Sequence, residues 1–530
     1  LSEVPPLGAR LISAGVVRTA AGVLGNAVLV EAGRVVAIGD RSHLREAGLV
    51  EERLPGAVLI PGLRDAHMHP VPYAATLTGI TLKEARDVAD LQQRLREAAS
   101  RSASHRPLLG FRFDDESLAE RRIPTRDDID AAVSDRPVLL KRYCGHIAVA
   151  NSVALATAGL NSSTLDPAGG RIDREPNGDP NGILRETAID LVATRLDASE
   201  LVTPGDLAAS LRGLAGLGLT SIGAILGLGN GPWASLGDEV TTMLAIAHQL
   251  PIRVHAFVVA TNTDALTDAA SRLTGAGPRL RWLGLKRFAD GSFGGHTAAM
   301  FSGYSDRPDE LGTLRLNESD ETIAQAALEH GGRVAVHAIG DRACGAVLDL
   351  FERLIARGTD PRRLRIEHAS LLSADDLTRI GELGVTACVQ PAFLGSETAW
   401  LERRVGRDRL SRTYPFATLE RNGAHLAGSS DCPVEPPHPL WGMALARDRA
   451  GIVMSEALPP ERALALFTTG AAFALGEPEP LSIGSPADLV ALDRDPVTCT
   501  PDELRDAEIL ETWVDGEAVI VDRDRPVWLG

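Results

Sequence analysis

Short fragments far apart in the chain carry the nitrogen and oxygen donors that a hydrolytic metal centre needs. They are His67 and His69 in LIPGLRDAHMHP, Lys286 in LGLKRFADG, His337 in RVAVHAIGD, His368 in RLRIEHA and Asp431 in LAGSSD. Imidazole nitrogens and carboxylate oxygens bind zinc and similar divalent ions, and an ion with an open position makes a nucleophile of water near neutral pH. Each fragment follows or ends a short apolar run that reads as a strand. Alternation along a strand places His67 and His69 on the same side. An HxH pair alone says little in a chain with 13 histidines. The spacing adds more: His337 and His368 lie about one βα unit apart, and Asp431 follows about two units later.

Eight apolar runs fit the strands that must position these groups: 57–66, 219–225, 252–260, 281–289, 333–339, 364–369, 385–391 and 424–430. Helical periodicity fills the intervals, as in 82–99 and in 343–358, which stops at Gly358. Another helix starts at Ser373, whose hydroxyl can cap it, with Asp376 three residues on. Eight strands, each followed by a helical stretch, specify an α/β fold of the TIM-barrel type, (β/α)8, with its chemistry at the C-terminal strand ends. Both termini read differently, as short strands with tight turns at Glu31-Ala32-Gly33 and Val514-Asp515-Gly516-Glu517. Neither end can bury a sheet face alone. Residues 1–56 and 476–530 are therefore expected to form one discontinuous β-sandwich, enclosing in sequence a barrel at 57–475. The stretch 101–200 is too long for a loop. It is expected to be a subdomain inserted after the first βα unit, resting over the barrel mouth and supplying part of the pocket.

A chain of 530 residues exceeds one hydrophobic core, so more than one domain is expected. A formal charge of -17 excludes the clustered basic surface that tracks phosphates, and with it a nucleic-acid partner. The five cysteines, Cys144, Cys344, Cys388, Cys432 and Cys499, show no CxxC spacing. That argues against a thiolate zinc site and a disulfide scaffold. No apolar run reaches the roughly 18 residues of a membrane span, and the first residues lack the regions of a signal peptide. The expectation is a cytoplasmic protein acting on a small molecule, with no membrane partner. Any self-association is expected to be a homodimer.

The order His-x-His, Lys, His, His, Asp resembles the amidohydrolase superfamily, and in detail amidohydrolase family 3, the YtcJ-like metal-dependent hydrolases. The resemblance runs over nearly the whole chain, to GSPADLVALDRDP at 484–496. It implies one or two divalent metal ions, zinc first and Mn2+ or Fe2+ as alternatives, held by His67, His69, Lys286, His337, His368 and Asp431. A bare ammonium has no lone pair to offer. In the resembled superfamily a lysine at the fourth strand can be carboxylated on Nζ, and the two oxygens of the carbamate can bridge two metals. Asp431 matches the family's eighth-strand aspartate, which is expected to take a proton from the bound water and return it to the departing nitrogen. Lys286 and Asp431 are thus the expected catalytic residues.

His146 in YCGHIAVANS matches a DGH segment of the family, with Cys144 where Asp is frequent. His146, Arg112 in GFRFDDE, and Asp290 and His296 in DGSFGGH are the expected substrate-binding residues. Relatives often carry GSxGSR where this chain has Gly295-His296, and the missing arginine weakens a carryover of their substrate preference. Glu367 is expected to face away from His368 on its strand. The activity implied is hydrolysis of an amide or another non-peptide C–N bond by attack of a metal-bound hydroxide. The alternatives are a mononuclear-metal deaminase of a small ring compound, against which Lys286 argues, and a non-catalytic ligand-binding barrel.

Overall fold

The eight barrel strands are Leu63–Met68 (β1), Leu219–Gly227 (β2), Arg253–Val259 (β3), Leu280–Phe288 (β4), Arg333–Ala338 (β5), Leu364–His368 (β6), Thr386–Val389 (β7) and His425–Gly428 (β8). The structure is a computed structural model describing residues 8–45, 49–101, 107–167, 169–196, 202–229 and 237–521. Consecutive strands pair in parallel from β1 to β8. Most are buried on both faces, which explains why they read as nearly unbroken apolar runs. The seam between β8 and β1 closes just beyond the strand ends. There Asp431 N–H donates to the His67 carbonyl at 2.9 Å and His69 N–H to the Cys432 carbonyl at 2.7 Å. Asp65 adds a clasp by accepting from the Ser430 hydroxyl at 2.5 Å and from its N–H. The last strand contact of the barrel is therefore made by the residues of the candidate site.

The caps expected from sequence form. Ser373 Oγ accepts from Asp376 N–H at 3.1 Å to start the helix Ala374–Leu383. Gly358, at φ 95°, follows the helix Asp341–Ala356.

The two chain ends meet in one mixed seven-stranded sheet. In spatial order its strands are Glu517–Ala518, Ile509–Val514, Leu489–Leu492, Val50–Pro61, Arg10–Thr19, Gly22–Glu31 and Arg34–Gly39. Both expected hairpins are present, with Ala32 and Gly33 at φ 48° and 76° and Asp515 and Gly516 at 54° and 72°. Ile12, Val28, Leu59, Leu489 and Trp513 share its core, so residues from both ends bury one another. The run expected as the first barrel strand, 57–66, divides at Gly62. Residues up to Pro61 belong to this terminal sheet, and β1 begins at Leu63. A side chain at 62 would meet Thr220 Oγ1 at 2.4 Å, so only glycine lets the chain cross so close to β2.

A six-stranded sheet spans Ile80 to Glu186, between β1 and β2 in sequence. The helix read over 82–99 runs from Val88 to Arg101, and its buried Leu91 and Leu95 pack with Leu108, Phe113, Val138 and Leu140 of this sheet. It is thus not the first barrel helix. That place belongs to Pro70–Thr78, with Pro70 at its first turn. Burying each of these leucines contributes about 2 kcal/mol. The strand ends of this sheet bring Arg112, Arg142 and the turn Tyr143–His146 to the barrel mouth.

Candidate metal centre

His67 Nε2 and His69 Nε2 each lie 3.2 Å from Asp431 Oδ1. Two strands bring this about: β1 turns both imidazoles to one side, and Asp431 sits just past β8 in a left-handed backbone conformation, φ 58°. Left-handed backbone on a non-glycine residue costs about 1–3 kcal/mol and persists where surrounding contacts impose it. Here the two seam hydrogen bonds do so. His337 and His368 stand edge to face with ring centroids 4.4 Å apart, and His368 is 5.4 Å from His67. Four imidazoles and one carboxylate thus converge on one mouth.

Three of these rings have their outer nitrogen committed. His67 Nδ1 donates to Glu367 Oε2 at 2.5 Å, His337 Nε2 to the Gly291 carbonyl at 2.8 Å, and His368 Nδ1 to Gln390 Oε1 at 2.8 Å. Each partner is an acceptor, so each donating nitrogen carries the hydrogen and the opposite nitrogen is left with a lone pair. Ligating histidines are commonly oriented in this way. His67 Nε2 is fully buried and has no hydrogen-bond partner among the described residues. It faces a carboxylate oxygen, acceptor against acceptor, an arrangement that a cation between them relieves. Burial lowers His337 and His368 well below the ordinary imidazole range, with the Lys286 charge adding to the effect at both. Neutral imidazoles and an ionised carboxylate fit a divalent metal. A second close set, His67, Glu367 and Cys388, lies deeper. Glu367 there is already paired with Arg365, and burial pushes the Cys388 thiol up. That set therefore serves to hold His67.

Lys286 is buried, 1% exposed, with Nζ 4.8 Å from the centre of the Phe288 ring. Burial lowers its amine to about 8. It shares with His67, His69, His337, His368 and Asp431 the lining of one cavity of about 80 Å³. His146 and Arg112 line the same cavity. His146 Nδ1 is held by Glu186 Oε2 at 2.9 Å, and Arg112 donates to the Val434 carbonyl at 3.2 Å.

Two expected substrate-binding residues do not line this cavity. Asp290 is fully buried and accepts from the N–H groups of Ala299, Ile339 and Gly340 at 2.9, 3.0 and 2.8 Å. It fastens the loops after β4 and β5, and burial pushes its carboxyl up to about 7. His296 is buried but held away from the cavity. Its Nε2 meets Asp306 at 3.2 Å and its Nδ1 accepts from Arg404 at 3.3 Å. Glu367 corrects a third expectation, because it faces the site alongside His368. His368 has φ 75° and Ala369 φ 46°, so the two-residue alternation of β6 breaks at this point. Gln390 was not singled out from the sequence. The only signal was its place just after β7, equivalent to the other polar groups at the strand ends.

The class defined by this barrel and its ligands is a metal-dependent hydrolase. Residues 54–520 match the model of the amidohydrolase family, and the chain belongs to that family. It is similar to YtcJ of Bacillus subtilis (strain 168), 30% identical over 512 residues that cover 93% of this chain and 95% of the relative. It is also similar to the N-substituted formamide deformylase of Arthrobacter pascens, 27% identical, covering 92% and 94% of the two chains. Among solved structures, an uncharacterized metal-dependent hydrolase from Pyrococcus horikoshii OT3 superposes with a TM-score of 0.75 at 28% identity, covering 93% of this chain and 99% of that one. Together, family, fold and ligand cluster make this chain a metal-dependent hydrolase acting on a C–N bond. No helix among the described residues is long and apolar enough to cross a membrane.

Proposed function

We propose that this enzyme hydrolyses the amide of a small N-acyl or N-formyl amine at a zinc centre. The observation that carries this reading is the convergence of His67, His69, His337, His368 and Asp431 on one small cavity, with the outer nitrogens of three rings already tied. His67, His69 and Asp431 would hold one ion. His337 and His368 would hold a second, and Lys286, if carboxylated on Nζ by carbon dioxide, would supply further oxygen donors. Nitrogen-rich donors with carboxylate oxygens suit zinc better than magnesium or calcium. A divalent ion supplies Lewis acidity there, acidifying water and polarising a carbonyl.

The remaining work falls to the chain itself. Asp431 takes the proton from the water that attacks the acyl carbon, then delivers it to the nitrogen as the C–N bond breaks. His146, fixed by Glu186, contacts the acyl oxygen. The strand ends of the inserted sheet, with Arg112 and Tyr143, wall the cavity and position the substrate. The similarity to a formamide deformylase supports a formamide or similar small amide as substrate. Lys286 among the ligands disfavours a mononuclear deaminase. The five cysteines are all unpaired, which favours a reducing compartment, and the cytoplasm is the proposed location. A screen of N-acyl amines, formamides and small esters with zinc-loaded protein tests the reading. Release of amine from an amide is expected. Cleavage confined to esters would overturn it.

A further inference from the structure

Two buried hydrogen-bond donors on the cavity wall are given no partner by the chemistry above. Arg142 Nη1 and the Tyr143 hydroxyl are both buried and have no hydrogen-bond partner among the described residues. A buried donor left unsatisfied is costly, more so when charged, so a pair of them needs a reason. Both side chains line the metal cavity. They also converge. A Cβ on Gly294 would lie 2.9 Å from Arg142 Nη1 and 3.7 Å from the Tyr143 hydroxyl oxygen. The absent side chain of Gly294 leaves room for one small acceptor group between the two donors.

The rest of the guanidinium is fixed from behind. Asp115 accepts from Arg142 Nε at 2.5 Å and Asp114 lies 3.5 Å from Nη2, while the guanidinium carbon stands 4.4 Å from the centre of the Tyr143 ring. Held on its other edge, Arg142 presents Nη1 without rotamer freedom. Apart from Lys286, which the reading above turns into a metal-binding carbamate, the cavity is lined by three basic side chains, Arg112, Lys141 and Arg142, and by one acidic side chain, Asp431, which the metal centre claims. A neutral carbonyl would satisfy the donors but not this balance; an oxyanion satisfies both. Nearby Glu397 does not cancel the effect, since burial pushes its carboxyl up to about 8.

We propose that Arg142 Nη1, the Tyr143 hydroxyl and the space over Gly294 form a subsite for a carboxylate on the substrate. The amides cleaved are then acylated amino acids or similar acidic amides, rather than neutral N-alkylamides. This rests on the C–N hydrolase reading and narrows its substrate.

The test uses a matched pair, racemic N-formylleucine and N-formyl-3-methylbutylamine, which differ only by the carboxylate. With zinc-loaded wild type, kcat/KM is expected to favour the acid by about 100-fold, the scale set by one buried donor left unsatisfied. Tyr143→Phe should shrink that ratio about tenfold. Gly294→Ala, which places a methyl where the carboxylate sits, should shrink it further, mainly through KM for the acid. Calorimetric titration of the same zinc-loaded proteins with both compounds reads binding apart from turnover. If both amides are cleaved with a ratio near one, unmoved by either substitution, the subsite is refuted while C–N hydrolysis stands. If neither is cleaved, yet the acid binds more tightly and Tyr143→Phe removes the preference, the subsite stands and the hydrolase reading fails. Equal binding of both compounds without turnover overturns both.

Discussion

Glu367 accepts the Nδ1 hydrogen of His67 at 2.5 Å while also pairing with Arg365, and all three side chains are buried. The contact fixes which nitrogen of His67 faces Asp431. Replacing Glu367 by Gln keeps an acceptor but removes the charge that makes His67 a strong ligand. It should weaken metal binding about 10–100-fold. It also leaves Arg365 buried without its counter-charge, which should lower stability by about 3 kcal/mol. Metal competition with a chromophoric chelator and urea denaturation read the two effects separately. An unchanged metal affinity would remove Glu367 from the site.

Asp431→Asn keeps the shape and one oxygen but cannot take a proton. Turnover should fall by 10²-fold or more, with a smaller loss of metal. Single-turnover rates measured beside metal content check this. A variant with wild-type turnover would eliminate Asp431 as the proton carrier.

Lys286→Ala should lose metal and activity together, because the carbamate proposed on Nζ is a ligand as well as a charge. Short carboxylic acids such as acetate or propionate should restore part of both by occupying the space. If the variant retains full metal content and rate, the bridging role is wrong.

Much of the barrel is legible in the sequence because its strands are buried on both faces and so stand out as apolar runs. The donors at their ends are equally visible. What stays hidden depends on contacts between distant segments. Helical periodicity over 82–99 shows which face is apolar, yet not that Leu91 and Leu95 cover the inserted sheet instead of the barrel. Glu367 and His368 share one side because left-handed backbone at His368, a non-glycine position with no sequence mark, breaks the alternation there. Asp290 stands beside the ligands in sequence. Its three N–H donors come from residues 299, 339 and 340, which no local pattern connects to it.

Glu186 gives the account a pH dependence away from the metal ligands. Burial opposes its charge, but His146 and Arg315 outweigh that and hold the carboxyl at about 2. Its unfolded value is near 4.3, so the folded state binds the proton less readily. The resulting stability, about 3 kcal/mol, is fully present above roughly pH 5 and is lost as pH falls toward 2. Glu186→Gln should therefore be less stable than wild type at pH 7, with the difference closing in that acid window. Urea denaturation of both proteins at pH 7 and pH 3 measures it. A gap that stays constant with pH would show that Glu186 contributes through shape alone.

Restoring metal to the stripped protein tests the central claim most directly. The protein is treated with a chelator, dialysed, and titrated with Zn2+ while amine release from an N-formyl amine is followed. Hydrolysis should vanish on stripping and return in proportion to added zinc, saturating at one or two equivalents per chain. Hydrolysis that survives complete removal of metal would contradict the account.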